Sequence, residues 1–252
     1  MLKTIRARLA QKYRTIDYPK TVPPLPERFR GMPRIDAASC TGAACARCAN
    51  ACPTRAIGVD KKVTIDLGKC LFCTECSTAC PSHAIRYTNE HRLAAQQRSE
   101  LVSTGTGTIA AIEVKKEIKR LFGRSLMLRQ VSAGGCNGCE ADINVLSTVV
   151  FDLGRFGIQI VASPRHADGL LVTGPVTHNM REALLKTYAA VPAPKLVVAV
   201  GACAIGGGPF VKCDQHNRGI GDMLPVDLYI PGCPPHPLTI LDGLLRMLGK
   251  IK

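Results

Sequence analysis

The 252-residue chain has no tryptophan, and aromatic residues make up only 4% of it. Its 33 Lys and Arg against 19 Asp and Glu leave a formal charge of +14. The basic residues are nevertheless scattered, with no aromatics interleaved among them, so the pattern of a nucleic-acid groove is missing. No apolar run is long enough to span a bilayer, so membrane attachment has to come through an interfacial segment or through other subunits. Neither G-x-G-x-x-G nor G-x4-G-K-S/T occurs; the glycine-rich GACAIGGG at 201–208 is therefore no dinucleotide or triphosphate cradle, and neither NAD nor flavin is expected. The opening MLKTIRARLAQKYR lacks the apolar core and the small-residue cleavage site of a secretory signal. No acid precedes Asp17, and Leu2, Ile5, Leu9 and Tyr13 are spaced for one helical face. That spacing predicts an interfacial or partner-docking helix, with an organelle presequence as the alternative.

Against these absences stand thirteen cysteines. They are bunched in loops too tight to staple distant elements, which argues against a disulfide framework. CTGAACARCANACP at 40–53 returns as CLFCTECSTACP at 70–81, and a shift of 28 residues lays Cys45, Cys48 and Cys52 on Cys73, Cys76 and Cys80, and ACPTRAI on ACPSHAI. This is an internal duplication. The second copy is C-x2-C-x2-C-x3-C-P, in which three close thiolates grip three corners of an iron-sulfur cube and the fourth, past the turn into proline, ligates the neighbouring cube. Cys70, Cys73 and Cys76 are therefore expected to share one cluster with Cys52, while Cys80 crosses to the other. The run resembles bacterial two-cluster ferredoxins. A four-cysteine zinc site is the bland alternative, but zinc prefers two separated pairs around one tetrahedron.

The first copy departs from that pattern. Gly42 stands where a cysteine is expected, and the nearest thiol is Cys40, giving C-x4-C-x2-C-x3-C. A wider loop eased by Gly42 lets Cys40 join Cys45, Cys48 and Cys80 in the first cluster. A three-iron cluster, or one non-cysteine ligand, is the alternative at this position.

After Tyr87 a polar helix is expected over 89–101, then a Gly/Thr linker at 103–108, then a basic amphipathic helix in IAAIEVKKEIKRLFG. The expected domains are thus 1–30, a docking helix and extended segment; 31–102, a two-cluster ferredoxin domain; the linker 103–108; and 109–252. Within the last, SLMLRQVS, IQIVAS, GLLVTG, KLVVAV and VDLYI are short apolar runs alternating with helices in 140–153, 178–190 and 237–248. Such alternation predicts a parallel sheet covered on both faces, an α/β fold. Ligands of such sheets gather outside the carboxyl ends of the strands. Cys136 and Cys139, Cys203 and Cys233 each follow a predicted strand, so three strand ends deliver four thiolates to one edge, where a third cube is expected. Three such clusters, each with about two negative charges, would lower the net charge to roughly +8.

GGCNGCE (134–140), SPRHADGLLVTGPVT (163–177), PKLVVAVGACA (194–204) and PVDLYIPGCPPHP (225–237) resemble the small subunit of group 4 energy-converting nickel-iron hydrogenases, the formate hydrogenlyase and hydrogenase-4 type, related to the complex I 20 kDa subunit. The N-terminal part, including YP at 18–19 and FRGMP at 29–33, resembles the polyferredoxin subunit of the same complexes, so the chain looks like a fusion of the two. The resemblance implies a flavodoxin-like second domain in which Cys136, Cys139, Cys203 and Cys233 hold the cluster proximal to nickel. It implies a membrane-associated electron-transfer subunit at the cytoplasmic face, a separate large subunit carrying the nickel, membrane-arm subunits, and a formate dehydrogenase or ferredoxin-type donor. A complex I-like quinone oxidoreductase or a nickel-free relative is the rival; complex I small subunits carry adjacent cysteines where this chain has C-N-G-C-E. Glu140 is either a proton relay or simply an acid favourable at a helix start. Cys213 fits no cluster position and is expected to be free. His166 and His178 lie near the partner surface or serve as packed structural histidines.

Overall fold

The computed structural model describes residues 2–60, 62–105, 109, 112–113 and 116–251. Helix α1 (Leu2–Gln11) stands at the start with no buried residue. The cysteine-rich part follows as β1 (Pro33–Ile35), α2 (Arg47–Ala51), β2 (Ile57–Val59), β3 (Val63–Asp66), α3 (Glu75–Ala79), β4 (Ile85–Tyr87) and β5 (Val102–Ser103). Strand β1 pairs antiparallel with β4, and β3 with both β2 and β5. The duplication is visible in the backbone. Ala46 and Thr74 both take left-handed φ just before α2 and α3, Cys52 and Cys80 both close those helices in extended conformation, and Arg55 and His83 are both left-handed three residues later.

The remainder is α4 (Lys116–Phe122), β6 (Leu126–Ser132), α5 (Gly138–Val145), β7 (Ile158–Ile160), β8 (Gly169–Thr173), α6 (His178–Ala190), β9 (Leu196–Val200), α7 (Gly201–Gly206), β10 (Leu228–Ile230) and α8 (Pro237–Met247). The five strands form a parallel sheet in the order β10-β9-β8-β6-β7. That is the doubly wound, flavodoxin-like order, whose direction reverses between β6 and β8. Every residue of β8 and β9 is buried, which is why both are uninterrupted apolar runs and do not alternate. Helix α8 buries ten of its eleven residues. Inside it Asp242 accepts from the Tyr18 hydroxyl at 2.6 Å and from Arg246 Nε at 2.7 Å, so the N-terminal segment is tied to the sheet's cover.

Four expectations from the sequence are corrected. No helix spans 89–101: Leu93, Ala94 and Ala95 are consecutive and all buried, which one helical face cannot achieve. The segment runs extended, Ala95 exchanges backbone hydrogen bonds with Tyr229, and only Arg98–Leu101 makes a 3-10 turn. Gly243 makes room for Ala94, since a Cβ there would stand 2.8 Å from the Ala94 methyl. The linker expected at 103–108 begins as structure, with Ser103 paired to Ile65 and the Gly105 carbonyl accepting from Ile35; residues 106–108 lie outside the described set. The basic helix of 109–123 is helical from Lys116, its residues 110, 111, 114 and 115 also lying outside that set. Finally, α5 starts earlier and ends sooner than 140–153, giving way to turns from Leu146 just ahead of the β-branched run Thr148, Val149, Val150.

Candidate metal centres

Three of the four C-x-x-C loops share one local solution, the exception being Cys70-Leu71-Phe72-Cys73, where Phe72 is the left-handed residue and no helix begins. In Cys45-Ala46-Arg47-Cys48, Cys73-Thr74-Glu75-Cys76 and Cys136-Asn137-Gly138-Cys139, the residue after the first cysteine is left-handed, and the second cysteine is the second residue of a helix. The left-handed step swings the chain so that both thiols fall on one side of the new helix.

Cys52, Cys70, Cys73 and Cys76 line one small cavity, walled by Pro53, Ala56, Ile57, Ile65, Leu71 and Tyr87. Amides aim at the sulfurs: Ala56 donates to Cys52 Sγ at 3.2 Å and Phe72 to Cys70 Sγ at 3.3 Å. The Tyr87 hydroxyl lies 3.6 Å from Cys76 Sγ and 3.8 Å from Cys70 Sγ. Burial pushes the Cys70 thiol up to about 12 and raises that of Cys76. Buried thiols with amide donors suit bound metal, because a cation removes the desolvation cost of the thiolate while the donors stabilise the sulfur's charge.

Around the first motif, the charge of Cys40 reaches Cys48, whose thiol is raised chiefly by burial. Cys45 caps the 3-10 turn Gly42–Ala44, where Gly42 is left-handed at φ +61°. The Cys80 sulfur accepts from the Ala84 amide at 3.3 Å, as Cys52 does from Ala56. Burial pushes Cys80 up, but the Ser82 hydroxyl and the backbone amides outweigh it and hold the thiol below its usual range. Helices α2 and α3 pack against each other, which brings Cys48 and Cys76 to neighbouring positions.

Cys136, Cys139, Cys203 and Cys233 converge beyond the carboxyl ends of β6, β9 and β10. Burial raises Cys139, and the charges of Cys203, Cys233 and Cys136 all reach it; burial likewise pushes Cys203 up to about 12. Gly201 and Gly208, both left-handed, are needed for closeness: a Cβ would stand 2.5 Å from Cys139 Sγ at the first and 2.6 Å from Cys203 Sγ at the second. Cys136 and Cys233 are exposed, so this group opens to the surface. The Cys233 thiol is raised by desolvation and also feels Cys73 of the small cavity. Among the described residues no three Cys, His, Asp or Glu side chains converge tightly enough for a single ion.

Glu140 is buried at the point where the strand order reverses, and its Oε1 accepts from Ser132 at the end of β6 and from Thr173 at the end of β8, each at 2.6 Å. Cys213, His166 and His178 are all exposed, which puts neither histidine in a packed structural role. Tyr87 was invisible as a sulfur neighbour in the sequence, although it follows the second motif at the same strand that closes it. The Ser132 and Thr173 partners of Glu140 lie at strand ends, a position that the ligand rule for parallel sheets singles out.

Two unrelated folds thus each present cysteines for iron-sulfur clusters, and the chain is an iron-sulfur protein of the electron-carrying kind. It belongs to the family of the NADH ubiquinone oxidoreductase 20 kDa subunit, whose model matches residues 136–247, and a 4Fe-4S dicluster domain matches residues 39–84. The chain is 43% identical over 135 residues to "Probable membrane-bound hydrogenase subunit mbhJ" of Pyrococcus furiosus, a match covering 54% of this chain and 81% of that protein. It is 42% identical over 139 residues to formate hydrogenlyase subunit 7 of Escherichia coli, covering 55% of this chain and 54% of that one. Against an NADH-quinone oxidoreductase subunit of Phocaeicola vulgatus it is 43% identical over 133 residues, covering 52% of this chain and 66% of that one. These relatives are subunits of oxidoreductase complexes, and 4Fe-4S clusters are the groups that the family and the dicluster domain carry.

Proposed function

We propose that the chain is the electron-transfer subunit of a membrane-associated hydrogenase complex, relaying single electrons to or from a nickel-iron site on a partner large subunit. Its clusters would be three: Cys40, Cys45, Cys48 and Cys80 for the first, Cys52, Cys70, Cys73 and Cys76 for the second, and Cys136, Cys139, Cys203 and Cys233 for the third. Thiolate-bound clusters supply one-electron exchange with little rearrangement.

The observation that carries this reading is the row of thiols. Helices α2 and α3, which carry Cys48 and Cys76, pack against each other, and Cys233 lines one pocket with Leu71 and Phe72 of the second motif, which supports a second group standing between the first and the third. The chain's own residues hold the two parts together. Arg98 bridges to Asp66 at 2.7 Å beside Gly68, whose missing side chain leaves room for Ile205 on α7; the Tyr18–Asp242 bond and the Ala95–Tyr229 pairing close the other side. In the second group Cys70 and Cys76 are buried and Cys52 and Cys73 half-buried, while exposed Cys136 and Cys233 would turn the third toward a partner. That partner would be the nickel-bearing subunit, and a formate-oxidising or ferredoxin-type donor would address the first. Membrane-arm subunits would hold the complex at the cytoplasmic face, since no helix among the described residues is long and apolar enough to cross a membrane.

The rival, a complex I-like quinone oxidoreductase or nickel-free relative, uses the same relay with a different partner, and the family match favours it as much; C-N-G-C-E at 136–140 favours the hydrogenase side. Anaerobic purification with identification of co-purifying subunits separates them. The expected result is about twelve iron and twelve sulfide per chain, with nickel in a co-purifying large subunit. Full iron with no nickel in the intact complex would transfer the chain to the rival class, and material with almost no sulfide would end both.

A further inference from the structure

Helix α1 buries none of its residues: Leu2 is 76% exposed, Ile5 55% and Leu9 72%. At 100° per residue these three fall within about 60° of one another on the helix. Arg6 flanks the stripe on one side and Arg8 on the other. Lys3, Lys12 and Arg14 bring the basic count before Asp17 to five, with no acid among them. Arg8 also donates to the Lys12 carbonyl at 2.6 Å and lies over the Tyr13 ring, closing the helix where Lys12 turns left-handed.

The segment is not loosely tethered. Immediately after it, the Thr15 hydroxyl donates to the Val149 carbonyl, the Ile16 amide donates to the Val150 carbonyl, and Arg155 donates to the carbonyls of Ile16 and Tyr18. The turn that holds it is itself apolar and open, with Val149 66% and Val150 39% exposed. A three-residue apolar stripe is far too small for a stable protein interface, which takes about 800 Å² per partner and is depleted in lysine at its core. It suits a lipid surface, where an apolar edge sinks between headgroups while flanking cations pair with anionic lipid.

We propose that α1, with the Val149–Val150 turn beside it, lies in the interface of an anionic bilayer and presses this subunit onto the membrane. The idea deepens the membrane association proposed above without depending on which partner carries the nickel. The test is flotation of the anaerobically prepared full chain with vesicles of phosphatidylcholine alone or mixed with phosphatidylglycerol. Binding is expected only to the anionic vesicles and should weaken as salt rises. Replacing Lys3→Gln and Arg6→Gln together should weaken it about thirty-fold, from roughly five-fold per basic side chain at an anionic surface. Ile5→Ser with Leu9→Ser should weaken it at least about ten-fold through lost apolar burial. All four side chains are outside the core, so iron content should stay that of the parent; measured on the same samples, it reports on the relay separately from the lipid result. Equal binding to neutral vesicles, no binding at all, or binding indifferent to either pair of substitutions overturns the proposal. So does a variant that keeps its vesicle binding but no longer retains a co-purifying partner, which would make α1 a protein-docking helix.

Discussion

Gly201→Ala is the sharpest probe of the third cysteine group. Two penalties meet at this residue. Its φ of +88° lies in the left-handed region, where a side chain costs roughly 1–2 kcal/mol. The added Cβ would also stand 2.5 Å from Cys139 Sγ, against the 3.4–4 Å of ordinary contact, so sulfur or backbone must shift by about an ångström. Strain of the first kind alone lowers stability and leaves ligation intact; the second displaces one ligand of one cluster. Gly221 separates them, being left-handed at φ +52° with nothing within 4 Å of its notional Cβ. Gly201→Ala is therefore expected to lower iron from about twelve to about eight per chain, with the electron paramagnetic resonance signal of one reduced cluster missing and the two ferredoxin-type signals retained. Gly221→Ala should keep all its iron and lose only a little thermal stability. A Gly201→Ala protein with full iron and three intact signals would refute the placement of Cys139 against the β9 end.

Other perturbations test other parts of the molecule. Tyr87→Phe removes the hydroxyl shared by Cys70 and Cys76; a donor to sulfur stabilises the more negative, reduced state, so a single cluster should drop in potential by roughly 20–60 mV in a redox titration, and an unchanged potential for all clusters would place that hydroxyl elsewhere. Asp242→Ala leaves Arg246 and the Tyr18 hydroxyl without their buried acceptor and should cost about 3–5 kcal/mol, seen as a lower melting midpoint under anaerobic conditions with cluster content unchanged below it. Acid sensitivity follows from His91, which is buried with Nε2 unpartnered among Asp242, Glu90, Arg92 and Arg246. Burial holds its folded-state value below the ordinary one, so the unfolded chain binds the extra proton and stability falls as pH drops below about 6.5. His91→Phe should flatten that part of the stability profile, and an identical acid slope in the variant would assign the effect to other groups.

Periodicity and strand-end logic make most of this legible in the sequence. KLVVAV and GLLVTG had to be central parallel strands because nothing in them alternates, and once they were, Cys136, Cys139, Cys203 and Cys233 could only fall at one edge. What escaped was set by contacts distant in sequence. The segment around Leu93–Ala95 has a helical composition, but its conformation is decided by Tyr229 and by the space that Gly243 leaves, neither of which a local window contains. The hydroxyl partners of Glu140, Ser132 and Thr173, come from two separate strands, so its burial could not be seen from its place in GGCNGCE alone.

The three C-x-x-C loops that open a helix separate what is local from what is global in this protein. Ala46, Thr74 and Asn137 share no side-chain chemistry and sit in two folds with different sheets, yet each takes the left-handed step that lets a helix begin between paired cysteines. Thiol pairing is thus encoded within four residues and needs no particular fold. Enclosure does need one: Cys70 and Cys76 are buried because β3 and β4 and the 71–72 loop wall them in, while Cys136 lies exposed at the sheet edge with the same loop geometry. The local motif determines that sulfur is presented, and the surrounding fold determines whether it faces a neighbouring group of thiols or the outside. A relay needs both kinds, and joining the two folds in one chain places the enclosed kind directly against the open one.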